Sequence, residues 1–586
     1  VLDAALARNP EDAELRATRA STLWRDGQRP QAVAEMRAAL LRAPKLGWAW
    51  DALRHFGENT GAPDLPARLA AELTELRPGE VWAWIRLAQW AGDAEQAVAA
   101  ARRALQLAPR QETVWEALLA TLLRFGRLDD AAAALAEHPW QERPPAVLRA
   151  FAPRIARARG LGTQAARELR ELLADDPNNY TWWRELADWR DADGADADYL
   201  EAAQNLVRLA PNHARAHGYA GHARLKCGQQ QQAREHFARA FELDPTYSFA
   251  GMHLADLQLD GRDGDGAGTT LAALARVCPG PYLAVRQIRL AALRMDQDAA
   301  AAPLFEALRA TQDDWPAQQA IAHMQRAGWE QRLTREIQAC FSSGACALVA
   351  TRHWIEEQES AVPGLFNRRI AKALQQDPQH ALKRGLLDYA GAKRRVPILK
   401  RLLRSHRTAL QDDSACWSMV AYAYLSNDMH AQVVEWMQDW RAKQLPAWSL
   451  DNLAVALRSL ARDEEARQPT LKSLELEPGN MDAKTWLAFD AARADQLAEL
   501  EGHLGAIDAS AIRPYFRTLV SLMQAYRNAV QNKDARLALD DFRQVRNNKG
   551  ASRVARRLAA LLSHRLVWQH SPAWLRPWRW LAFKFG

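Results

Sequence analysis

The sequence predicts an all-α chain folded as a right-handed superhelical solenoid of about 17 helix–turn–helix repeats. Proline lacks an amide donor and clashes inside a helix, so it marks helix boundaries. A boundary that returns at a constant interval indicates one helical unit copied many times. Proline recurs here at a step of 34 residues, at Pro10, Pro44 and Pro78, and again at Pro177, Pro211, Pro245 and Pro279.

The first helix of each unit is predicted to begin shortly after the proline. A tryptophan often stands six residues after the proline, and a leucine stands three residues further on. Residues three apart share one face of a helix, so this pair predicts the buried face. The pairs are Trp50 and Leu53, Trp84 and Leu87, Trp115 and Leu118, and Trp183 and Leu186.

A turn and a second helix complete the unit. Glycine often follows the proline by 17 residues, at Gly27, Gly61, Gly126, Gly194 and Gly228. Glycine readily ends a helix, so we predict a turn there between two antiparallel helices. Small and apolar residues follow at helical spacing, namely Ala32, Met36 and Ala39 in one unit and Ala233, Phe237 and Ala240 in another.

These positions resemble the tetratricopeptide repeat, whose pattern is Trp-x2-Leu-Gly-x2-Tyr, then Ala-x3-Phe, then Pro. The copy at 212–245 matches through Gly221, Ala233, Phe237 and Pro245. It departs from the pattern at the tryptophan position, which is His217, and at the tyrosine position, which is Arg224. The resemblance implies a solenoid of stacked helix pairs.

Repeat regularity divides the chain into four predicted regions. Residues 1–279 are predicted to form a regular array. Residues 280–377 are predicted to be divergent helical repeats, because Pro316 falls three residues late. A second array is predicted at 378–500, and residues 501–586 are predicted to be a helical C-terminal region with a basic, tryptophan-rich tail.

Charge and cysteine content restrict the function classes. The net charge of +7 comes mostly from residues 531–586, which hold twelve Lys/Arg and three Asp/Glu. Residues 1–530 are therefore nearly neutral, which argues against nucleic acid as partner because phosphate binding needs a basic surface. The five cysteines form no CxxC pair, which argues against disulfides and structural zinc. We expect a cytoplasmic location, and we expect that the chain begins inside a longer protein because Val1 opens within a repeat.

No catalytic motif is present, so we predict no enzyme activity, no cofactor and no metal for this chain. The acidic segments 188–198 and 260–266 do not match a calcium loop and are predicted to be turns. His353 with Glu356 and Glu357 lacks a third metal ligand. Cys340 and Cys346 are predicted to be small core residues.

The inner surface of the solenoid is the predicted binding site. The resemblance implies that residues four, seven and eleven after each proline line this surface. No Lys/Asn pair of the kind that binds peptide carboxyl termini in the family occurs there. An alternative for Trp48 and Trp82 is packing between neighbouring units. The candidates for contact with a protein or extended peptide are Trp48, Asp51, His55, Trp82, Gln89, Glu116, Arg184, Asp188, Arg215 and His222.

Two basic segments are further candidates. The run at 383–407 places Lys400, Arg404 and Arg407 on one helical face, which is either solvated or faces an anionic partner. The tail carries Trp568 and three further tryptophans among Arg and Lys. We expect this tail to cap the last repeat, with contact to an anionic membrane surface or a linker to another domain as alternatives.

The predicted function is a protein- or peptide-binding scaffold, because a solenoid exposes a long surface without a pocket of convergent titratable groups. The alternative is a substrate-recruiting repeat domain of a larger enzyme. That enzyme would be of glycosyltransferase, sulfotransferase or protease type, with its catalytic part outside this chain. On this alternative the 586 residues select or hold the substrate and carry out no chemistry.

Overall fold

The chain is α-helical throughout the residues that the structure describes. A computed structural model describes residues 2–140, 144–361, 366–508, 512–532, 535–548 and 550–569. Within these ranges there is one short 3₁₀ helix (Trp440–Ala442) and no strand. The predicted all-α repeat fold is therefore confirmed.

The chain divides into two compact units, Val1–Gln258 and Leu259–Gly586, hereafter unit 1 and unit 2. Helix α17 (Ser248–Asp260) crosses the division. The predicted region limits at 279, 377 and 500 remain predictions. The helices of unit 1 before α17 are α1 (Leu2–Arg8), α2 (Ala13–Arg25), α3 (Arg29–Arg42), α4 (Gly47–Thr60), α5 (Leu65–Leu76), α6 (Val81–Trp90), α7 (Ala94–Leu107), α8 (Glu112–Arg124), α9 (Leu128–Ala136), α10 (Ala146–Arg149), α11 (Phe151–Ala158), α12 (Gly162–Asp175), α13 (Tyr180–Ala192), α14 (Asp196–Leu209), α15 (Ala214–Lys226) and α16 (Gln230–Leu243).

Unit 2 continues the alternation of first and second helices. The last helix, α35, follows the pair formed by α33 and α34 and has no second helix after it among the described residues. The helices are α18 (Gly264–Val277), α19 (Pro281–Leu293), α20 (Ala301–Leu308), α21 (Trp315–Arg326), α22 (Glu330–Ser343), α23 (Leu348–Ala361), α24 (Phe366–Leu374), α25 (Ala381–Ala392), α26 (Val396–Asp412), α27 (Ser414–Ser426), α28 (His430–Trp436), α29 (Ala447–Ser459), α30 (Asp463–Leu476), α31 (Met481–Ala494), α32 (Leu497–Gly505), α33 (Pro514–Asn532), α34 (Arg536–Asn547) and α35 (Arg553–Gln569).

The predicted second-helix residues form the core between helix pairs. In α3, Ala32, Met36 and Ala39 are fully buried, and in α16 the same holds for Phe237 and its alanine neighbours. Helices α15 and α16 pack on each other, and α15 also packs on α14 of the preceding pair. Phe237 lies against Gly221, where an added Cβ would meet the phenyl ring at 2.8 Å. Glycine at this position therefore allows the two helices to approach closely.

The periodic tryptophan closes the turn that precedes its own helix. Each indole nitrogen donates a hydrogen bond to the carbonyl of the proline six residues earlier. His217 does the same with Nε2, which lies 2.9 Å from the Pro211 carbonyl. The departure from the family pattern therefore keeps the hydrogen bond. The tryptophan bonds are Trp50 to Pro44 (2.9 Å), Trp84 to Pro78 (2.9 Å), Trp115 to Pro109 (2.8 Å) and Trp183 to Pro177 (2.9 Å).

The predicted glycine turns have the left-handed backbone that ends a helix. Gly27, Gly61, Gly126, Gly194 and Gly228 have φ of 80°, 74°, 69°, 69° and 74°. Other repeats place a side-chain-bearing residue in the same conformation at the equivalent turn. These residues are Arg262, Met295, Arg394, Asp428, Ala461 and Asp495.

The C-terminal helix α35 packs its apolar face on the preceding helices, as its leucine spacing predicts. Val554, Leu558, Leu562 and Leu566 are buried, and α35 contacts α29, α31, α33 and α34. The rest of the predicted tail, residues 570–586, lies outside the described residues. The predictions of capping or membrane contact by that segment therefore remain predictions.

Candidate functional site

All ten predicted groove residues lie on first helices of unit 1. Helices α4, α6 and α8 carry six of them, and α13 and α15 carry four. Trp82 and His222 are half-buried. The exposed residues are Trp48, Asp51, His55, Gln89, Glu116, Arg184, Asp188 and Arg215.

The α4–α8 part of the surface is organised by Arg86, which the sequence did not single out. Its buried guanidinium donates to the Pro44 carbonyl (Nε, 2.9 Å) and the Lys45 carbonyl (Nη2, 3.1 Å). It also lies 5.4 Å from the Trp82 ring centroid. Trp82 therefore packs on a structural arginine, whereas Trp48 is 42% exposed on the neighbouring helix. The alternative of packing between neighbouring repeats thus describes Trp82 better than Trp48.

Gln89 has a structural contact, because its Oε1 accepts from Arg86 Nη1 at 2.7 Å. Arg124 donates to the carbonyls of Ala88 and Ala91 (2.8 and 3.0 Å) at the end of α6. These two arginines use their donors on backbone and amide oxygens. They therefore hold adjacent helix pairs together and have few donors left for a partner.

The α13–α15 part of the surface is a cluster of aromatic and charged side chains. The Tyr219 hydroxyl donates to Asp188 Oδ1 at 2.6 Å, which ties α15 to α13. The Tyr199 hydroxyl lies 3.2 Å from His222 Nδ1. The His222 ring meets the Phe249 ring edge-on at 5.8 Å, and Phe249 is 40% exposed. Asp188 and His222 are thus engaged with tyrosines.

Arg184 and Arg215 differ from the surrounding arginines. Both are exposed, and neither makes an ion pair or a hydrogen bond among the described residues. On the preceding first helix, Arg154 binds Glu185 through two hydrogen bonds of 2.7 and 2.9 Å. Arg157 similarly binds Asp193 at 2.6 Å. Two neighbouring first helices, α13 and α15, therefore each present one guanidinium whose donors no described residue uses.

Tyrosines surround these two arginines and remain protonated. Burial raises the pKa of Tyr180, although Arg184 and Arg215 both act to lower it. Burial likewise raises the pKa of Tyr247, against the lowering effect of Arg215. Neither hydroxyl makes a hydrogen bond among the described residues. The cluster therefore has phenol and guanidinium donors that no described residue uses.

The geometry of α15 makes room for Tyr247. An added Cβ at Gly218 would lie 2.6 Å from the Tyr247 hydroxyl oxygen, so the tyrosine rests directly on the glycine backbone. Gly218 occupies the position seven residues after Pro211 that was expected to face the inner surface. A glycine inside a helix costs stability relative to alanine, and this contact gives the physical reason for it.

The structure separates the predicted residues into two groups. Arg184, Asp188, Arg215 and His222 lie on the adjacent helices α13 and α15, whereas the other six lie on α4, α6 and α8. Helix α11 lies between α8 and α13, packing on α8 and meeting α13 through the Arg154–Glu185 pair. Sequence reasoning missed Tyr180, Tyr219 and Tyr247, because these do not fall at the positions four, seven and eleven after proline.

The other sequence candidates have structural contacts. Glu357 accepts a hydrogen bond from Thr334 Oγ1 at 2.9 Å, and Glu356 pairs with Lys393 at 2.9 Å. Cys340 and Cys346 are buried, as expected of core residues. In the part of the chain that is described, no three metal-ligating side chains gather in one place.

Much of the basic run at 383–407 is paired within the fold. Lys383 is buried beside Asp377 at 3.2 Å, and Arg395 pairs with Glu359 at 2.9 Å. Arg407 lies 5.6 Å from the Trp436 ring centroid. Lys400 and Arg404 are exposed on α26. An anionic partner of this run would therefore find only a small basic surface around Lys400 and Arg404.

Among the described helices, none combines the length and apolar character that a membrane span requires.

Comparison with known proteins gives matches among solved structures alone. No protein-family model and no curated protein matches the sequence.

Three of the similar solved structures illustrate the match. PilF of Pseudomonas aeruginosa is 19% identical, with a TM-score of 0.29 over 42% of this chain and 98% of its own. YrrB, described as a TPR protein with an unusual peptide-binding site, is 16% identical, with a TM-score of 0.23 over 31% and 96%. The Naa15/Naa10 complex bound to HypK gives 13% identity and a TM-score of 0.31 over 100% and 96%.

At these identities and TM-scores the matches carry no argument about function. The class of protein follows from the chain's own helices. Pairs of antiparallel helices recur with proline-marked and glycine-marked turns, and the alanine and phenylalanine positions of the repeat are buried. The chain is an all-α helical-repeat protein whose repeats resemble the tetratricopeptide repeat.

Proposed function

We propose that this chain is a protein-interaction scaffold that binds an extended partner segment across the first helices of unit 1. An acidic side chain of that segment binds between Arg184 and Arg215. The observation that carries the proposal is that the exposed Arg184 and Arg215 make no ion pair among the described residues, while Arg154 and Arg157 nearby are paired.

The surrounding side chains support a carboxylate as the acceptor. Hydrogen bonds to charged groups are stronger than those between neutral groups, and guanidinium binds carboxylate through two parallel bonds. The raised pKa values of Tyr180 and Tyr247 keep both hydroxyls protonated, so each can donate a hydrogen bond to the partner's carboxylate. Phe249, which is 40% exposed beside His222, offers an apolar contact for the adjacent partner residue.

The remaining predicted groove residues extend this surface. Trp48, Asp51, His55 and Glu116 are exposed on α4 and α8, and aromatic residues are common energetic anchors of interfaces. Trp82 and Gln89 support the surface through Arg86. We propose that the groove residues on α4, α6 and α8 together contact a second part of the same partner segment, on the far side of α11.

The test is a peptide-display selection against the full chain, followed by affinity measurement on selected peptides. We expect enrichment of Asp and Glu, and a loss of affinity of about tenfold or more when Arg184→Gln and Arg215→Gln are combined. The matched control combines Arg167→Gln and Arg239→Gln on the second helices α12 and α16, which removes the same charge. Binding should weaken with added salt for the unmodified chain.

Two results would contradict the proposal. One is a set of selected peptides without acidic enrichment. The other is an equal loss of affinity in the Arg184/Arg215 and Arg167/Arg239 variants, which would show a general effect of net charge. A separate quadruple variant that adds Trp48→Ala and Trp82→Ala tests the extended surface, and undiminished binding by a folded sample would reject it.

A further inference from the structure

A cavity of about 560 Å³ lies in unit 2, where the end of α27 and the starts of α28, α33 and α35 meet the face of α29. Leu425, Val455 and Phe516 form its apolar wall. His430, Asn452 and Arg553 form its polar side. Cavities of roughly 300–1,000 Å³ with apolar walls and a few polar groups are the usual form of small-molecule sites.

Two of the residues that line this cavity each have one polar atom that is buried without a hydrogen-bond partner among the described residues. These atoms are His430 Nδ1 and Asn452 Nδ2. Buried polar groups nearly always have a partner, because leaving one unpaired costs free energy. Burial lowers the pKa of His430, Asp428 partly opposes this effect and Arg553 adds to it, so the net shift favours the neutral imidazole. A neutral imidazole and an amide both can donate one hydrogen bond to an oxygen acceptor.

Arg553 supplies a positive charge that the fold does not use. It is the first residue of α35, is exposed, and makes no ion pair or hydrogen bond among the described residues. The other lining charges are paired, Asp428 with Arg394 at 3.2 Å and Arg513 with Asp482. Because α33 and α35 both begin at the cavity, the amide ends of two helices add partial positive charge. The polar side therefore favours an anion.

We propose that this cavity binds a small organic carboxylate with one apolar group, the carboxylate at Arg553 and the apolar group against Leu425, Val455 and Phe516. Asn452 and His430 donate to the remaining oxygen atoms of such a ligand. The carboxylate belongs to a free organic acid or to the last residue of a peptide, and the experiment separates these sources. This site lies in unit 2 and does not depend on the function proposed for unit 1.

The test titrates the full chain with N-acetyl-L-phenylalanine and with its amide. We expect the acid to bind at least tenfold more tightly than the amide. Arg553→Gln should reduce the affinity for the acid to that for the amide, because the two probes differ in charge. Asn452→Leu, which keeps the branching of the side chain but removes the amide, should weaken both probes. Arg527→Gln, at a half-buried position of α33 outside the cavity lining, is the matched control and should leave both affinities unchanged.

A second arm uses a peptide that ends in phenylalanine with a free carboxylate, and the same peptide with an amidated end. Displacement of N-acetyl-L-phenylalanine by the free-carboxylate peptide assigns the site to chain ends. Failure of that peptide with retained binding of the small acid assigns it to free organic acids. The proposal is overturned if neither acid binds, if acid and amide bind equally, or if Arg553→Gln binds like the unmodified chain.

Discussion

At the scale of single residues, hydrogen-bond donors explain the periodic pattern better than residue size does. Tryptophan recurs six residues after proline because its indole nitrogen satisfies the proline carbonyl at the turn. His217 replaces it in one repeat and keeps that bond with Nε2. Since Nε2 carries the proton, Nδ1 is left as an acceptor, and it lies 3.1 Å from Nδ1 of His236 on α16.

The His217–His236 contact makes unit 1 sensitive to acid. Burial, followed by the nearby His217 and Arg224, lowers the pKa of His236 to about 4. The unfolded chain takes up this proton near pH 6.5 and the folded chain near pH 4, so stability is full above 6.5 and falls as the pH drops through this window. Because His236 is only half-buried, solvent screening limits the loss to about 1–2 kcal/mol.

The measurement is urea unfolding followed by circular dichroism at pH 7 and pH 4.5. His236→Gln keeps a donor for His217 but does not titrate, so we expect it to lose less stability between the two pH values. His503→Gln in unit 2 is the control and should lose as much as the unmodified chain. An identical pH dependence of His236→Gln and the unmodified chain would contradict the assignment.

At the scale of elements, the turn between first and second helices shows what sequence reasoning can and cannot reach. Five glycines at a constant offset predicted the turn, and all five have positive φ. The same turn is made by Ala461, at φ 62°, and by other residues with side chains. Those repeats have no glycine at this offset, so the glycine pattern could not reveal their turns.

Ala461→Gly is therefore expected to stabilise the chain by about 0.5–1 kcal/mol. The left-handed conformation costs an alanine roughly 1–2 kcal/mol, while glycine loses more entropy on folding. Ala461 is exposed, so no packing is lost. The matched reverse change is Gly126→Ala at φ 69°, where an added Cβ meets nothing within 4 Å. Urea unfolding should show opposite signs for the two variants, and a destabilised Ala461→Gly would refute the argument.

The candidate site followed from the sequence in part. The repeat register placed Arg184 and Arg215 on neighbouring first helices, and the structure has them exposed there. The register could not show that Arg154 is paired and Arg184 is not, because ion pairs link residues from different repeats. It also missed Tyr247, whose place depends on the absence of a side chain at Gly218 in another repeat.

At the scale of the whole molecule, helix pairs of a solenoid contact mainly their neighbours, so stability is roughly a sum of local contributions. Helix α35 is an exception within unit 2. Arg557 donates to the Arg458 carbonyl at 2.9 Å, and Arg565 donates to the Ala492 carbonyl at 2.6 Å. Each arginine thereby satisfies the end of a first helix, α29 or α31, and complements its partial negative charge.

This arrangement predicts that damage to α35 spreads to α29 and α31 but stops short of unit 1. Leu562 is fully buried on α35, and Leu562→Ala should cost about 2–5 kcal/mol by loss of buried surface and creation of a cavity. Hydrogen exchange measured by mass spectrometry should then show faster exchange in α29, α31 and α33. Helices α2–α9 belong to unit 1 and serve as the internal reference, so we expect them to exchange as in the unmodified chain.

A second variant separates the arginine contacts from the packing. Arg557→Met with Arg565→Met keeps an unbranched apolar stem at both positions but removes the donors to the α29 and α31 carbonyls. We expect faster exchange at the C-terminal turns of those two helices, with α33 unchanged because it is held by the apolar face of α35. Arg543→Met, on the exposed face of α34, is the control. Faster exchange confined to α35 itself would mean that it packs on the array without stabilising it, and the proposed role of its arginines would be wrong.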